Sequence, residues 1–411
     1  MRKLVNIIVL AIIAVPVNSR VIHIGKNRVW KTIQQALAIA VNGDTILVEA
    51  GIYHEKNIII NKRITLRGLY YPVLDGGNKY EIISIGADGV IIDGFKLQHS
   101  GKSSMNDYAA IKIYSAGNVI IENNIVDDSF FGIYSQNGHS CKIINNRLKT
   151  YGIGEEGSGN GIHCWKSDSM QVTNNTMEGY RDGIYFEFVT NSLISNNVSE
   201  RNIRYGLHFM FSHNNTYVKN VFRFNGAGVA VMYTHGVKMI DNSFENNWGD
   251  AAYGLLLKEI TDSRIEGNKF IKNTTGIMME GGTRITMVKN IFQNNGWALK
   301  IQASCISNTI SNNNFIANTF DVGTNGSLSL NNFNNNYWDK YDGYDINRDG
   351  KGDVPYHPVS LYSMIVERNP PSMLLFRSFI VSLMDKTEKV LPGITPENLK
   401  DDQPLMKPLP L

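Results

Sequence analysis

His208 and Met210 stand two positions apart in Tyr205-Gly206-Leu207-His208-Phe209-Met210, and Met232 closes the similar run Gly228-Val229-Ala230-Val231-Met232. An imidazole beside thioethers is a soft donor set that suits Cu(I). His163 lies in a third such run, and His213 and His235 fall just past the runs of Met210 and Met232. These six residues are candidate copper ligands, for a metal held transiently. The same side chains also fit a metal-free reading: a Met and aromatic surface, with Trp165, Tyr185 and Glu187 in it, that binds a protein or a sugar. A second candidate centre is Asp345-Ile346-Asn347-Arg348-Asp349-Gly350-Lys351-Gly352-Asp353. Ligand positions at Asp345, Asn347, Asp349, Lys351 and Asp353, with Gly at the sixth place, match the first half of an EF-hand loop. Tyr356 occupies the place of the bidentate Glu, so structural calcium and a plain Asp/Gly turn stand level.

Hydrolytic or epimerising chemistry on sugars would need carboxylates close together on one face. Glu187 and Glu280 share a column with Lys258, but about four coils apart, roughly 19 Å at ~4.8 Å per coil. Asp182 and Asp250 are expected in turns. The expectation is a binding protein rather than an enzyme.

These side chains need an element that stacks residues remote in the chain, and the repeat supplies it. Asn followed two places later by a large residue recurs at Asn124, Asn146, Asn175, Asn197, Asn220, Asn242, Asn268, Asn290, Asn313 and Asn336. The steps are mostly about 22 residues, and apolar residues alternate with period two in short runs. That period excludes helical repeats and predicts an all-β, right-handed parallel β-helix solenoid over residues 20–340. Asn suits left-handed corners between strands and can bond to its copy in the next coil. Within each Gly-Ile-x run the Ile faces in. Tyr134, His163, Tyr185, His208, Ala230, Leu256 and Met278 should then form one outward column. Gln136, Trp165, Glu187, Met210, Met232, Lys258 and Glu280 should form the next.

A solenoid needs its ends covered. Trp30 to Ala40 has helical spacing and predicts an N-terminal helical cap, followed by a turn at Asn42-Gly43-Asp44 and a strand at Thr45 to Val48. Residues 341–369 read as an Asp/Gly-rich loop and connection. Residues 370–411 read as a C-terminal helix, from Ser372 to Val390 between Pro371 and Pro392-Gly393, plus an extended tail. Met373, Leu374, Phe376, Ile380, Leu405 and Met406 there are candidate docking residues for a partner, against the alternative of a simple end cap. Residues 1–19 read as a signal peptide: Arg2 and Lys3, then an apolar run to Val15 too short to span a bilayer. A periplasmic location fits. Cys141, Cys164 and Cys305 show no CxxC spacing and read as free or buried thiols. A net charge of +3 with 19% charged residues gives no basis for nucleic-acid binding.

The opening block is similar to that of pectate-lyase-like β-helix proteins, and the coils resemble their carbohydrate-binding and sugar-hydrolase repeat class. More specifically, Tyr205 to Ser212, Gly228 to Tyr233, Asp345 to Tyr356, and the tail with Glu388, Pro392, Asp401, Pro404, Leu405, Met406, Lys407 and Pro408 resemble the NosD family. That family comprises periplasmic maturation factors of nitrous oxide reductase. The resemblance implies association with the membrane subunit of an ABC transporter and its ATPase, with the chain peripheral to the membrane through that partner. It also implies work with a lipoprotein copper chaperone and with nitrous oxide reductase during copper-site assembly. ATP hydrolysis would belong to the partner, since this chain has no phosphate loop. A polysaccharide-binding or polysaccharide-modifying β-helix is the second class.

Overall fold

The structure, a computed structural model, describes residues 19–103, 106–249, 252–326, 330–390, 396 and 399–410. The proposed signal peptide, but for its last residue, lies outside the described residues, as do Asp250 and Pro392-Gly393. Among the described residues, short strands stack into three parallel sheets of 14, 12 and 13 strands, giving a β-solenoid of about 14 turns. Each coil adds one strand to each sheet, as the repeat requires. In most of the three-residue strands the middle side chain is buried and its neighbours are less so, as in Ile125-Val126-Asp127. This is the alternation of a sheet with one face in the core.

Of the two roles expected of the repeat Asn residues, they take the coil-to-coil bonding and leave the corner to a neighbour. The left-handed corner falls one place earlier, at Asn123, Asn145, Asn174 and Asn196, with φ of 55°, 56°, 57° and 54°. The repeat Asn itself points inward and is almost wholly buried from Asn124 to Asn336. Its Oδ1 accepts from the backbone N–H and the side-chain amide of the copy one coil earlier, as Asn146 does from Asn124 at 3.0 and 3.1 Å. A second ladder, five residues further on in each coil, runs through Asn202, Asn225, Asn247, Asn273, Asn295 and Asn318. Between the ladders the core is filled by stacked rings: Phe222, Phe244, Phe270, Phe292, Phe315 and Trp338. An unpaired amide inside such a core would cost about 1–3 kcal/mol, which is why the Asn rows are continuous.

The N-terminal cap is the helix α1, Ile33–Ile39, started by a capping box in which Thr32 and Gln35 bond to each other's backbone. Strand Val21–Ile24 precedes it and opens the first sheet. The C-terminal region departs from expectation in two ways. A helix, α2 (Leu361–Arg368), lies within the stretch read as connection, and the expected single helix is a 3-10 turn at Pro370–Leu375 followed by α3 (Phe379–Val390). Ser360 caps α2, a signal that the weak apolar period of this short segment concealed. The tail meanwhile closes the solenoid. Asp401 is fully buried and accepts from the backbone of Asn335 and Asn336, the Asn336 side chain and Trp338 Nε1, at 2.9–3.1 Å. It thus receives the last rung of the first Asn ladder. All three cysteines are free and buried.

Candidate functional site

The outer face of the 12-stranded sheet carries both expected columns in register. Tyr134, His163, Tyr185, His208, Ala230, Leu256 and Met278 are successive partners, and so are Gln136, Trp165, Glu187, Met210, Met232, Lys258 and Glu280. Leu207 and Phe209, either side of His208, belong to the interior core. His208, Met210 and Met232 therefore share one wall and point away from the stack.

The first column is not the open surface that alternation alone suggests. His163 and His208 are only 8% and 6% exposed. Rings one coil apart cover each other: Tyr134 on His163 at 4.4 Å, His163 on Tyr185 at 4.8 Å, Tyr185 on His208 at 4.7 Å. Phe131 and Tyr205 close the sides at 5.6 and 5.0 Å. Burial pushes the His163 imidazole down to about 3, so it is neutral, and its Nε2 has no hydrogen-bond partner.

His208 has a neighbour that the sequence reading placed elsewhere. Asp182 opens strand Asp182–Glu187 rather than a turn, and it is fully buried. Arg204 donates to it through Nε at 2.9 Å and through a terminal nitrogen at 2.6 Å. His208 Nδ1 lies 3.6 Å from its Oδ2, an ion-pair distance, and neither His208 ring nitrogen has a hydrogen-bond partner. Burial raises the Asp182 carboxyl, but His208 and Arg204 outweigh it and hold the group below the usual carboxylate range. Strict alternation would send Asp182 inward with Ile184. The residue before each strand-opening Gly instead joins the outer face, as Asp182, Tyr205 and Ala227 do in register. The recurring x-Gly-Leu/Ile/Val pattern held that signal.

Met210 and Met232 are register partners and half-buried. Tyr185 Oη donates to Met210 Sδ at 3.7 Å. Met232 also lines a cavity of about 350 Å³ with Tyr205, Tyr253, Lys258, Met278 and Glu280. Trp165 is half-exposed under the Lys166 ammonium, 4.4 Å from its ring centre. His213 and His235 do not extend this face. They lie past the corner at Phe211 and Tyr233, stacked on each other at 4.1 Å, with the His235 N–H donating to His213 Nδ1 at 3.3 Å. Among the described residues no group of three His, Cys, Asp or Glu could hold a metal ion, so a soft-metal site here must draw on methionine.

The Asp345–Asp353 segment forms a hydrogen-bonded turn, and nothing in it adds support for calcium. Asp345 accepts from the N–H groups of Asp349 and Gly350, Asn347 from Asp349, Asp349 from Lys351, and Asp353 from Ile346. These oxygens bond to the loop's own backbone, and Lys351 Nζ donates to Gln403 at 3.0 Å. The loop clamps the tail: Gly352 N–H donates to Pro404 O, and Met406 N–H to Gly350 O. Leu405 and Met406 are accordingly half-buried in the end cap. The helices differ. Tyr362, Val366 and Val381 pack on Trp297 and Phe320, while Leu374, Phe379, Ile380 and Leu383 stay 92%, 82%, 51% and 53% exposed.

Residues 149–348, which hold the coils of His163 to Met278, match the family model NosD, periplasmic copper-binding protein. That stretch is similar to the NosD family. The likeness extends beyond it. A protein of Pseudomonas aeruginosa called probable ABC transporter binding protein NosD is 26% identical over 90% of this chain and 90% of its own. Its namesake in Stutzerimonas stutzeri is 29% identical over 87% of this chain and 86% of its own. Among solved structures, the A-module of the Azotobacter vinelandii mannuronan C-5 epimerase AlgE6 aligns with TM-score 0.55 and 14% identity, over 74% of this chain and 87% of that one. The catalytic unit of a GH87 α-1,3-glucanase from Streptomyces thermodiastaticus aligns with TM-score 0.60 and 12% identity, over 74% and 65%. These two share the β-helix fold.

Proposed function

We propose that this protein is a periplasmic copper-handling platform that serves the copper-site assembly of nitrous oxide reductase and is coupled to an ABC transporter. Copper is its cargo. The observation that carries the reading is the group His208, Met210 and Met232: a buried imidazole with both nitrogens unpartnered, beside two half-buried thioethers in register on one wall. A soft donor set of imidazole and thioethers binds Cu(I) and releases it by ligand exchange to a softer or better-organised set. Asp182 and Arg204 lock the floor of the group, and the Tyr185 hydroxyl aims Met210. The exposed apolar side chains Leu374, Phe379, Ile380 and Leu383 supply the contact with a membrane subunit, whose ATPase partner hydrolyses ATP. The relatives' name, ABC transporter binding protein, supports that part.

Anaerobic competition between the protein and a Cu(I) chelator tests the site. His208→Ala/Met210→Ala/Met232→Ala should weaken Cu(I) binding at least about tenfold, the scale of ~1.4 kcal/mol, and leave the reductase without its copper site in cells. Equal affinity, with normal maturation of the reductase, would refute the assignment. Serine at Leu374, Phe379 and Ile380 should leave the fold intact and abolish co-purification with the transporter.

A further inference from the structure

Phe188, Phe211 and Tyr233 occupy one corner of three successive coils in the left-handed region, with φ of 54°, 52° and 55°. Bulky residues rarely take that conformation, and the same corner elsewhere carries Ser115, Asn137, Glu259 and Gly281. All three rings are exposed, at 44%, 37% and 37%. They stack coil upon coil at 5.3 and 5.1 Å, within 8° and 17° of parallel. Nothing in the core requires aromatic residues here, so backbone strain and apolar exposure are both tolerated, which points to function.

The stacking decides what the strip offers. Ring faces are turned to each other along the rod, so solvent meets ring edges. A sugar platform would need free faces. Ring edges carry the positive end of the quadrupole and are a preferred seat for thioether sulfur. Soft donors flank the strip on both sides. Met210 and Met232 each stand one residue before a ring, and His213 and His235 two residues after, with His213 half-buried and His235 exposed.

We propose that this corner is a docking strip for an extended, methionine-bearing segment of a protein partner, which seats its sulfurs on the ring edges and presents copper to the Met210–Met232 side. The proposal rests on the copper-handling reading above. It commits to a polypeptide because the flanking donors match the ligands such a segment would carry.

The test uses the full chain and a variant, Phe188→Asn/Phe211→Asn/Tyr233→Asn. Asn tolerates the left-handed corner, so thermal unfolding should show this variant at least as stable as the parent, which separates recognition from folding. Fluorescence anisotropy would follow a labelled peptide carrying Met-x-x-Met repeats, its norleucine twin, and an alginate oligosaccharide, with and without Cu(I). The expected result is peptide binding weakened at least tenfold in the Asn variant, and at least fivefold by norleucine in the parent. Equal binding by both proteins, or by both peptides, would overturn the proposal. So would oligosaccharide binding that the Asn variant loses. The two readings fail separately. Cu(I) binding by the parent without any preference for the methionine peptide removes the strip and leaves the copper site. Peptide binding by a parent that binds no Cu(I) does the reverse.

Discussion

His163 and His208 stand one coil either side of Tyr185, and their surroundings differ. His163 is sealed between rings and held neutral, with its titration pushed down to about 3. The unfolded chain titrates near 6.5, so between those values it binds a proton that the folded state refuses. Stability from this residue is complete above about pH 6.5 and falls as pH drops through that window toward 3. His163→Phe should remove the penalty and keep the stack. Denaturant unfolding at about pH 4.5 should show the parent losing on the order of 2–3 kcal/mol relative to pH 7 that the Phe variant retains. A parallel decline in both would refute the burial account. His208, by contrast, lies beside the Asp182 carboxylate that Arg204 grips, and that charged floor distinguishes the copper candidate from a structural ring.

At the scale of the coil, adjacent Asn residues have unlike duties. Asn145 sits exposed in the left-handed corner, while Asn146 is buried and bonds forward to Asn175 and backward to Asn124. Asn145→Gly should change unfolding free energy by less than about 0.5 kcal/mol, since Gly accepts that conformation freely. Asn146→Ala leaves the buried Asn124 backbone N–H without its acceptor and takes a donor from Ile121 O and Ile144 O, and should cost about 2–4 kcal/mol. Urea unfolding of the two single variants checks this, and equal losses would mean that the ladder is not a stabilising unit.

For the whole molecule, the two ends of the C-terminal region do opposite things. The tail from Leu399 completes the rod: Leu399 is in the core, Asp401 takes the last Asn amide, and Leu405 N–H donates to Asn336 O. A chain cut immediately before Leu399 would expose the edge of the final coil, and open parallel edges pair with other chains. It should melt several degrees lower and run as higher oligomers on size exclusion. A monomer of unchanged melting temperature would mean that the tail is no cap. The helices α2 and α3 instead pack on Trp297 and Phe320 and leave an apolar flank open, and Lys300 joins Glu367 at 2.6 Å to tie them to the site wall.

Much of this architecture is written locally. Period-two runs, an Asn every coil and a Gly before each long strand suffice to stack the chain, and stacking alone assigns His208, Met210 and Met232 to one wall, because in-register parallel strands convert sequence spacing of one coil into a distance of about 4.8 Å. The sequence likewise showed the capped first helix and the apolar character of the C-terminal helices. Burial of the His column was not legible, since it arises from rings of different coils closing over one another. The place of Asp182 on the outer face, and the engagement of the Asp345–Asp353 loop and of Leu405 with each other, were hidden for the same reason. Such contacts join residues with no common period, and only the packed rod brings them together.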